Sequence, residues 1–458
     1  MKSVLIKCGW LVTLDPKIGE IRNGELLYSG NSIEAAGRNL GATADETIDA
    51  SDKIVMPGLV NAHMHTWETA LRGIGAEWMS ADYFKHVHSN LATRYKPDDN
   101  YVANLMGSLA QIDAGVTTLV DWCHNITTIE HAERAIDGLV DSGIRAVFAH
   151  GTAKPIGLES GTPFTHVPHP RERIVSLRKG RLADDDGRVT LAMAILGPDW
   201  GAWEVVEHDI RMAREFGLVS SSHTRRREDC VVTDGYAKMA KAGLLGPDHN
   251  LVHGTSYDTA DLRVVVDSGA SLTSTVLVEL HHHIGDTMVA AFREQGGKPS
   301  LGIDVELYTS GHMFREMQAG LLFARGKEVR NNALRGNSPM KKVPVRSREA
   351  LEWATINGAE AFRLDGKIGT LSPGKTADIV MLRANDVNMA PVYDPIVSIV
   401  EIAGAGNVDT VIIDGIVRKQ NGKLTIAADV LRKRTEELKE SGARIMRDGN
   451  YRVETAPN

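Results

Sequence analysis

From Ile54 onward the chain settles into an alternation that few folds can accommodate. Short β-rich runs are separated by amphipathic stretches of roughly 12–20 residues. The runs are IVMPGLVNAH (54–63), VTTLVDW (116–122), RAVFAHG (145–151) and VTLAMAIL (189–196), then LVSSSH (218–223), NLVHGT (250–255), ASLTST (270–275) and SLGID (300–304). Helical segments such as NLMGSLAQIDAG, EHAERAIDGLVDSG and SREALEWATINGAEAF lie between or after them. Eight strand–helix units predict an α/β architecture, a (β/α)8 barrel, with its chemistry at the C-terminal ends of the strands. Shorter β runs flank this region on both sides: SVLIKCGWLVTLD and GELLYSG before it, KIGTLSPGKTADIVMLR and VDTVIIDGIVRK after Leu364. Two such flanks predict one small composite β-sandwich domain built from both chain ends. The expected boundaries are 1–55 and 365–425 for the two parts of that domain and 56–364 for the barrel. A charged amphipathic helix with its tail is expected over 426–458, and a surface loop over 176–188.

Composition narrows the function classes. Of 458 residues, 42% are hydrophobic and 24% charged, as in ordinary globular enzymes. The 52 Lys+Arg against 59 Asp+Glu leave a net charge of −7, which argues against a nucleic-acid or anionic-membrane partner. No apolar stretch approaches the ~18 residues of a membrane span, and Lys7 interrupts the N-terminal run as a signal peptide would not allow. Cys8, Cys123 and Cys230 are too dispersed for a zinc ribbon or disulfide framework. The expectation is a cytoplasmic enzyme with a small-molecule substrate, as a homo-oligomer.

His63-Met64-His65 is the strongest local signal. Alternate residues at a strand end can present two imidazoles to one ion. Other strand ends supply His223, His253 and Asp304. A lone histidine of this kind is more often a satisfied core residue, but this many at separate strand termini point jointly to a metal site. His86-Val87-His88, with no strand cue before it, reads as a helical or lid segment.

These stretches together resemble the amidohydrolase superfamily. PGLVNAHMH, His223, LVHGT, GID and the tail GTLSPGKTADIVML carry the resemblance over nearly the whole chain, nearest to its triazine hydrolase, cytosine deaminase and guanine deaminase branch. The resemblance implies a mononuclear centre of His63, His65, His223 and Asp304 holding Zn2+, or Fe2+. His253 and Asp304 would be the catalytic groups. Binuclear members carry a bridging lysine on the fourth strand, and LAMAILGPDW has none. The implied reaction is hydrolysis of a C–N bond, foremost deamination of a nitrogen heterocycle.

One departure stands out. Many deaminases of that branch have a proton-shuttling glutamate three residues after the strand-five histidine, where this chain has Arg226, with Glu228 two residues later. An arginine cannot accept a proton but can grip an anion through its planar fork. The Arg225–Arg227 run is therefore expected to bind an anionic substituent. Further candidate substrate contacts are Trp67 with Glu68, Trp122, Glu279 and the run His281-His282-His283, of which His281 is put first. The departure also keeps open a hydrolase acting on an amide, ring amide or halide. A catalytically inactive binding protein on the same fold is the alternative of another class. Gly369–Thr376 matches the P-loop pattern letter for letter, but a β run follows where a phosphate-binding helix is required, so it reads as a turn.

Overall fold

The computed structural model describes residues 2–153, 161–337 and 339–453. Four strands open the chain: β1 (Ser3–Val12), β2 (Glu20–Ser29), β3 (Ser32–Gly37) and β4 (Glu46–Pro57). Eight parallel strands follow: β5 (Leu59–Met64), β6 (Val116–Cys123), β7 (Arg145–His150), β8 (Val189–Ala194), β9 (Ser220–His223), β10 (His249–Val252), β11 (Ser271–Ser274) and β12 (Ser300–Leu301). They pair in sequence order. The ring closes where the Ile303 and Asp304 amides donate to the His63 carbonyl at 3.0 and 2.9 Å, and Met64 bridges Asp304 in parallel. This is the (β/α)8 barrel expected from the alternation.

The barrel interior is filled by small and branched residues, Val60, Ala62, Val120, Ala149, Ala192 and Ala194, around one large one, Trp122. Outward-facing residues such as Leu119, Phe148 and Leu191 join the core beneath the helices. With both faces buried, these strands show little of the in–out alternation that marks a half-buried strand.

After the barrel come β13 (Ile379–Arg383), β14 (Val408–Ile413), β15 (Ile416–Gln420) and β16 (Lys423–Leu424). They join β1–β4 in one sheet of order β16-β15-β14-β13-β4-β1-β2-β3, so the two chain ends meet where β13 pairs antiparallel with β4. That sheet has its own core of Ile6, Leu11, Leu26, Ile379, Met381 and Ile412. A buried ion pair ties the two bodies together. Arg145 on β7 donates to both carboxylate oxygens of Asp378, at 2.8 and 3.1 Å.

The differences from expectation are local. IVMPGLVNAH is not one strand: its first part ends β4 and its second starts β5. The joint is Gly58, where any Cβ would sit 1.9 Å from the Thr117 hydroxyl oxygen. SREALEWATINGAEAF forms two helices, Ser347–Trp353 and Ile356–Ala361, because Thr355 leaves helical geometry at φ −139° and ψ −96°. Part of the expected loop at 176–188 is the end of helix Arg171–Lys179. The C-terminal helix spans Ala428–Asp448 and packs on helix Pro97–Asp113, with the Ser441 hydroxyl donating to Asp99 at 2.6 Å. Residues 454–458 of the expected tail lie outside the described residues. The P-loop look-alike is a turn leading into β13, with Lys375 Nζ donating to the Ile368 carbonyl at 3.0 Å.

Candidate metal centre

Four side chains from three parts of the barrel converge at the C-terminal mouth. His63 and His65 come from β5 and the residue after Met64, His223 ends β9, and Asp304 follows β12. One ligand atom from each lies within 4.8 Å of all the others. His65 Nε2 is 3.2 Å and His63 Nε2 3.1 Å from His223 Nε2, and Asp304 Oδ1 is 3.3 Å from Nε2 of both His63 and His65.

The chemistry of this donor set fits a cation. His65 Nδ1 donates to the Trp122 carbonyl at 2.7 Å, which leaves the Nε2 lone pair aimed into the cluster. Burial pushes His63 down to about 3, so its imidazole is neutral at working pH. Burial works to raise Asp304, but the facing His63 and His65 imidazoles outweigh that and hold it well below the usual carboxylate range. Three imidazoles and one carboxylate, all turned to one point, form a divalent-metal donor set.

His253, just beyond β10, stands beside this cluster. Its Nδ1 lies 3.1 Å from the Thr275 hydroxyl and 3.4 Å from Glu279 Oε1, and its Nε2 lies 4.0 Å from Asp304 Oδ2. The ring stacks on His223 with centroids 5.5 Å apart. Glu279 is fully buried and fixed by the Thr275 amide at 2.8 Å. His253 and Asp304 both have left-handed backbone, φ 73° and 67°. Non-glycine residues held there carry strain, and such strain collects at functional sites.

A cavity of about 500 Å³ opens from the cluster. His65, His223, His253 and Asp304 line its inner end; Tyr83, Phe84, Trp200, Arg225, Arg226 and Tyr308 are among its outer residues.

The expected substrate contacts divide. Arg226 lines the cavity, but its guanidinium pairs with Asp229 at 2.7 Å and Glu228 at 3.4 Å. Trp67 is fully buried against Tyr95 and His124, off the cavity wall. Trp122 forms the floor of the centre instead: its ring lies 4.2 Å from that of His223, and its Nε1 donates to Ser221. Glu279 acts on His253 and not on the cavity. His281 turns away to within 3.0 Å of the Trp78 carbonyl, while its neighbours His282 and His283 line the cavity. Arg227 points outward to Asp234 and Asp261.

Glu68, expected with Trp67 as a substrate contact, is buried and off the cavity wall. Burial pushes it up to about 7, and it accepts from the Tyr83 hydroxyl at 2.6 Å. His124, two residues past Trp122, lines the cavity with its ring 4.4 Å from that of His65. A strand-end histidine is not sufficient evidence: His150, at the end of β7, is buried against His169 at 2.9 Å instead.

Comparison with known proteins agrees with this geometry. The sequence model of the amidohydrolase family matches residues 54–417. A 5'-deoxyadenosine deaminase of Methanosarcina mazei is 25% identical over 435 residues, 93% of this chain and 95% of that protein. A 5-methylthioadenosine/S-adenosylhomocysteine deaminase of Symbiobacterium thermophilum is 25% identical over 434 residues, 91% and 93% of the two chains. Among solved structures, a zinc-bound adenosine deaminase from Xanthomonas campestris superimposes with a TM-score of 0.82 at 19% identity, over 97% of this chain and 98% of that one, and so shares the fold.

Proposed function

The chain belongs to the amidohydrolase family, and on that premise we propose that it is a mononuclear metal-dependent deaminase of a nitrogen heterocycle. The observation that carries this reading is the convergence of His63, His65, His223 and Asp304 within 4.8 Å, beside an oriented His253. Those four residues would hold the ion, and three nitrogens with one carboxylate suit Zn2+, with Fe2+ the competitor. When bound there, the ion supplies Lewis-acid activation of water, whose pKa falls from about 15.7 towards about 7.

The protein's own groups do the rest. Asp304 Oδ2, the oxygen not engaged by His63 or His65, accepts the proton of the attacking water. His253 is held through Nδ1 by Thr275 and Glu279, so its Nε2 faces the reacting carbon, where it stabilises developing charge or passes a proton towards the leaving amine. Deamination is also the activity in the names of the two sequence relatives, which act on adenine nucleosides.

The test is a panel of aminated purines, pyrimidines, pterins and triazines on zinc-loaded enzyme, read by ammonia release. Turnover of at least one heterocycle is expected; release of none contradicts the reading. A second reading, hydrolysis of a halide or amide leaving group, is favoured by one observation. The position usually occupied by a shuttling glutamate holds Arg226, itself paired with Asp229. Chloride and amine release from the matching substrates, measured in the same panel, distinguishes the two.

A further inference from the structure

The three consecutive arginines after His223 have three different fates. Arg227 lies outside the cavity, spent on Asp234 at 2.7 Å and Asp261 at 2.9 Å. Arg226 reaches the cavity, but its charge is met by Asp229 and Glu228. Arg225 also lines the cavity and is half-buried, and among the described residues no carboxylate lies within ion-pair distance of its guanidinium.

Its stem is fixed at both ends. The Arg225 amide donates to Asp199 at 2.8 Å, and its carbonyl accepts from the Ser256 hydroxyl at 2.7 Å. The guanidinium lies over the Trp200 ring, 4.0 Å from the centroid, and Trp200 packs in turn against Phe84 at 5.6 Å. Stacking uses the face of the guanidinium and leaves its in-plane N–H edge unspent. That edge is the part that matches a carboxylate bidentately. Asp199, an acid that the Arg225 charge reaches, is occupied by the Arg225 amide and by the Tyr257 hydroxyl at 2.9 Å. A positive charge on a wall of Trp200, Phe84 and Ile284 is costly to leave unmatched once a ligand displaces the water around it.

We propose that Arg225, shelved on Trp200, is an anion-recognition residue, and that the substrate is a planar heterocycle carrying a carboxylate. The amino-bearing end lies at the metal centre and the carboxylate at Arg225. Arg225 lines the same cavity as His223 and Asp304, so ring and carboxylate would share one pocket, and acids of graded length report the separation. The identity of the ring rests on the deaminase reading; the carboxylate rests on Arg225 alone.

Calorimetric binding to the zinc-loaded enzyme tests it without requiring turnover. The probes are benzoate, 3-phenylpropanoate and 4-phenylbutanoate, each against its neutral amide. At least one acid should bind about tenfold or more tightly than its amide, the factor for a charge-assisted hydrogen bond. The preference should disappear in Arg225→Gln, survive in part in Arg225→Lys, and leave amide binding unchanged in both. Unaltered melting of the variants guards against misfolding. No acid preference, or one that persists in Arg225→Gln because the acid sits on the ion or on Arg226, overturns the proposal. Ammonia release from aminated heterocycles is read separately. Silence there with the charge preference intact removes the deaminase reading and leaves the subsite standing.

Discussion

His253 is the residue whose role is easiest to separate from metal binding. Its Nε2 lies 4.0 Å from Asp304 Oδ2, and it is not among the four side chains that converge as a donor set. His253→Asn should therefore retain the ion, by elemental analysis, while kcat falls by roughly 10²–10⁴, the contribution of a positioned acid–base group. Loss of the ion in that variant would make His253 a ligand. The residues at the centre of the site were legible because metal-ligating side chain types are conspicuous at strand ends. Trp67, Trp122 and His281 were not, because proximity in sequence to a strand end does not say which way a side chain turns. Trp122 points into the barrel, and Trp67 sinks beneath Tyr95. Glu279 was legible as a nearby acid but not as the partner of His253, a contact made across 26 residues of chain by a fold-level approach of two strand ends.

Among the elements, the order of the eight strands followed from alternation alone, but their ends did not. β12 is only two residues long, because the chain leaves the ladder at Gly302, where a Cβ would lie 2.7 Å from the His63 backbone. The union of the two chain ends was legible as flanking β runs. The buried Arg145–Asp378 pair that fastens the resulting sheet to the barrel was not, since a lone arginine and a distant aspartate carry no sequence signal. Both side chains are about 5% exposed or less. Arg145→Ala should strip one partner from that pair and lower stability by about 3–5 kcal/mol in chemical denaturation. A loss below about 1 kcal/mol would show that water reaches Asp378 and that the pair is not a fastening.

For the molecule as a whole, buried neutral imidazoles set the acid limit of stability. Burial pushes His150 down to about 3 and His249 to about 4, and it holds His169 well below the ordinary histidine value. The unfolded chain binds protons on these rings from about pH 6.5 downward, and the folded chain does not. Their contribution is thus complete above about pH 6.5 and is lost as pH falls towards about 3–4. Buried Glu68, Asp121 and Asp209, pushed up by burial to about 7, 7 and 6, act in the opposite sense, so the test is the difference between variants: His249→Asn should lose less stability than the parent protein between pH 6.5 and 4. Identical slopes in the two would mean that the His249 ring is not buried as described.

The most direct measurement is zinc titration of the chelator-stripped enzyme, with ammonia release from the best heterocycle as the readout. One ion held by His63, His65, His223 and Asp304 predicts no release without metal, a linear rise, and a break at about one equivalent per chain. Full activity in the stripped protein, or a break at two equivalents, would contradict a single-metal hydrolase.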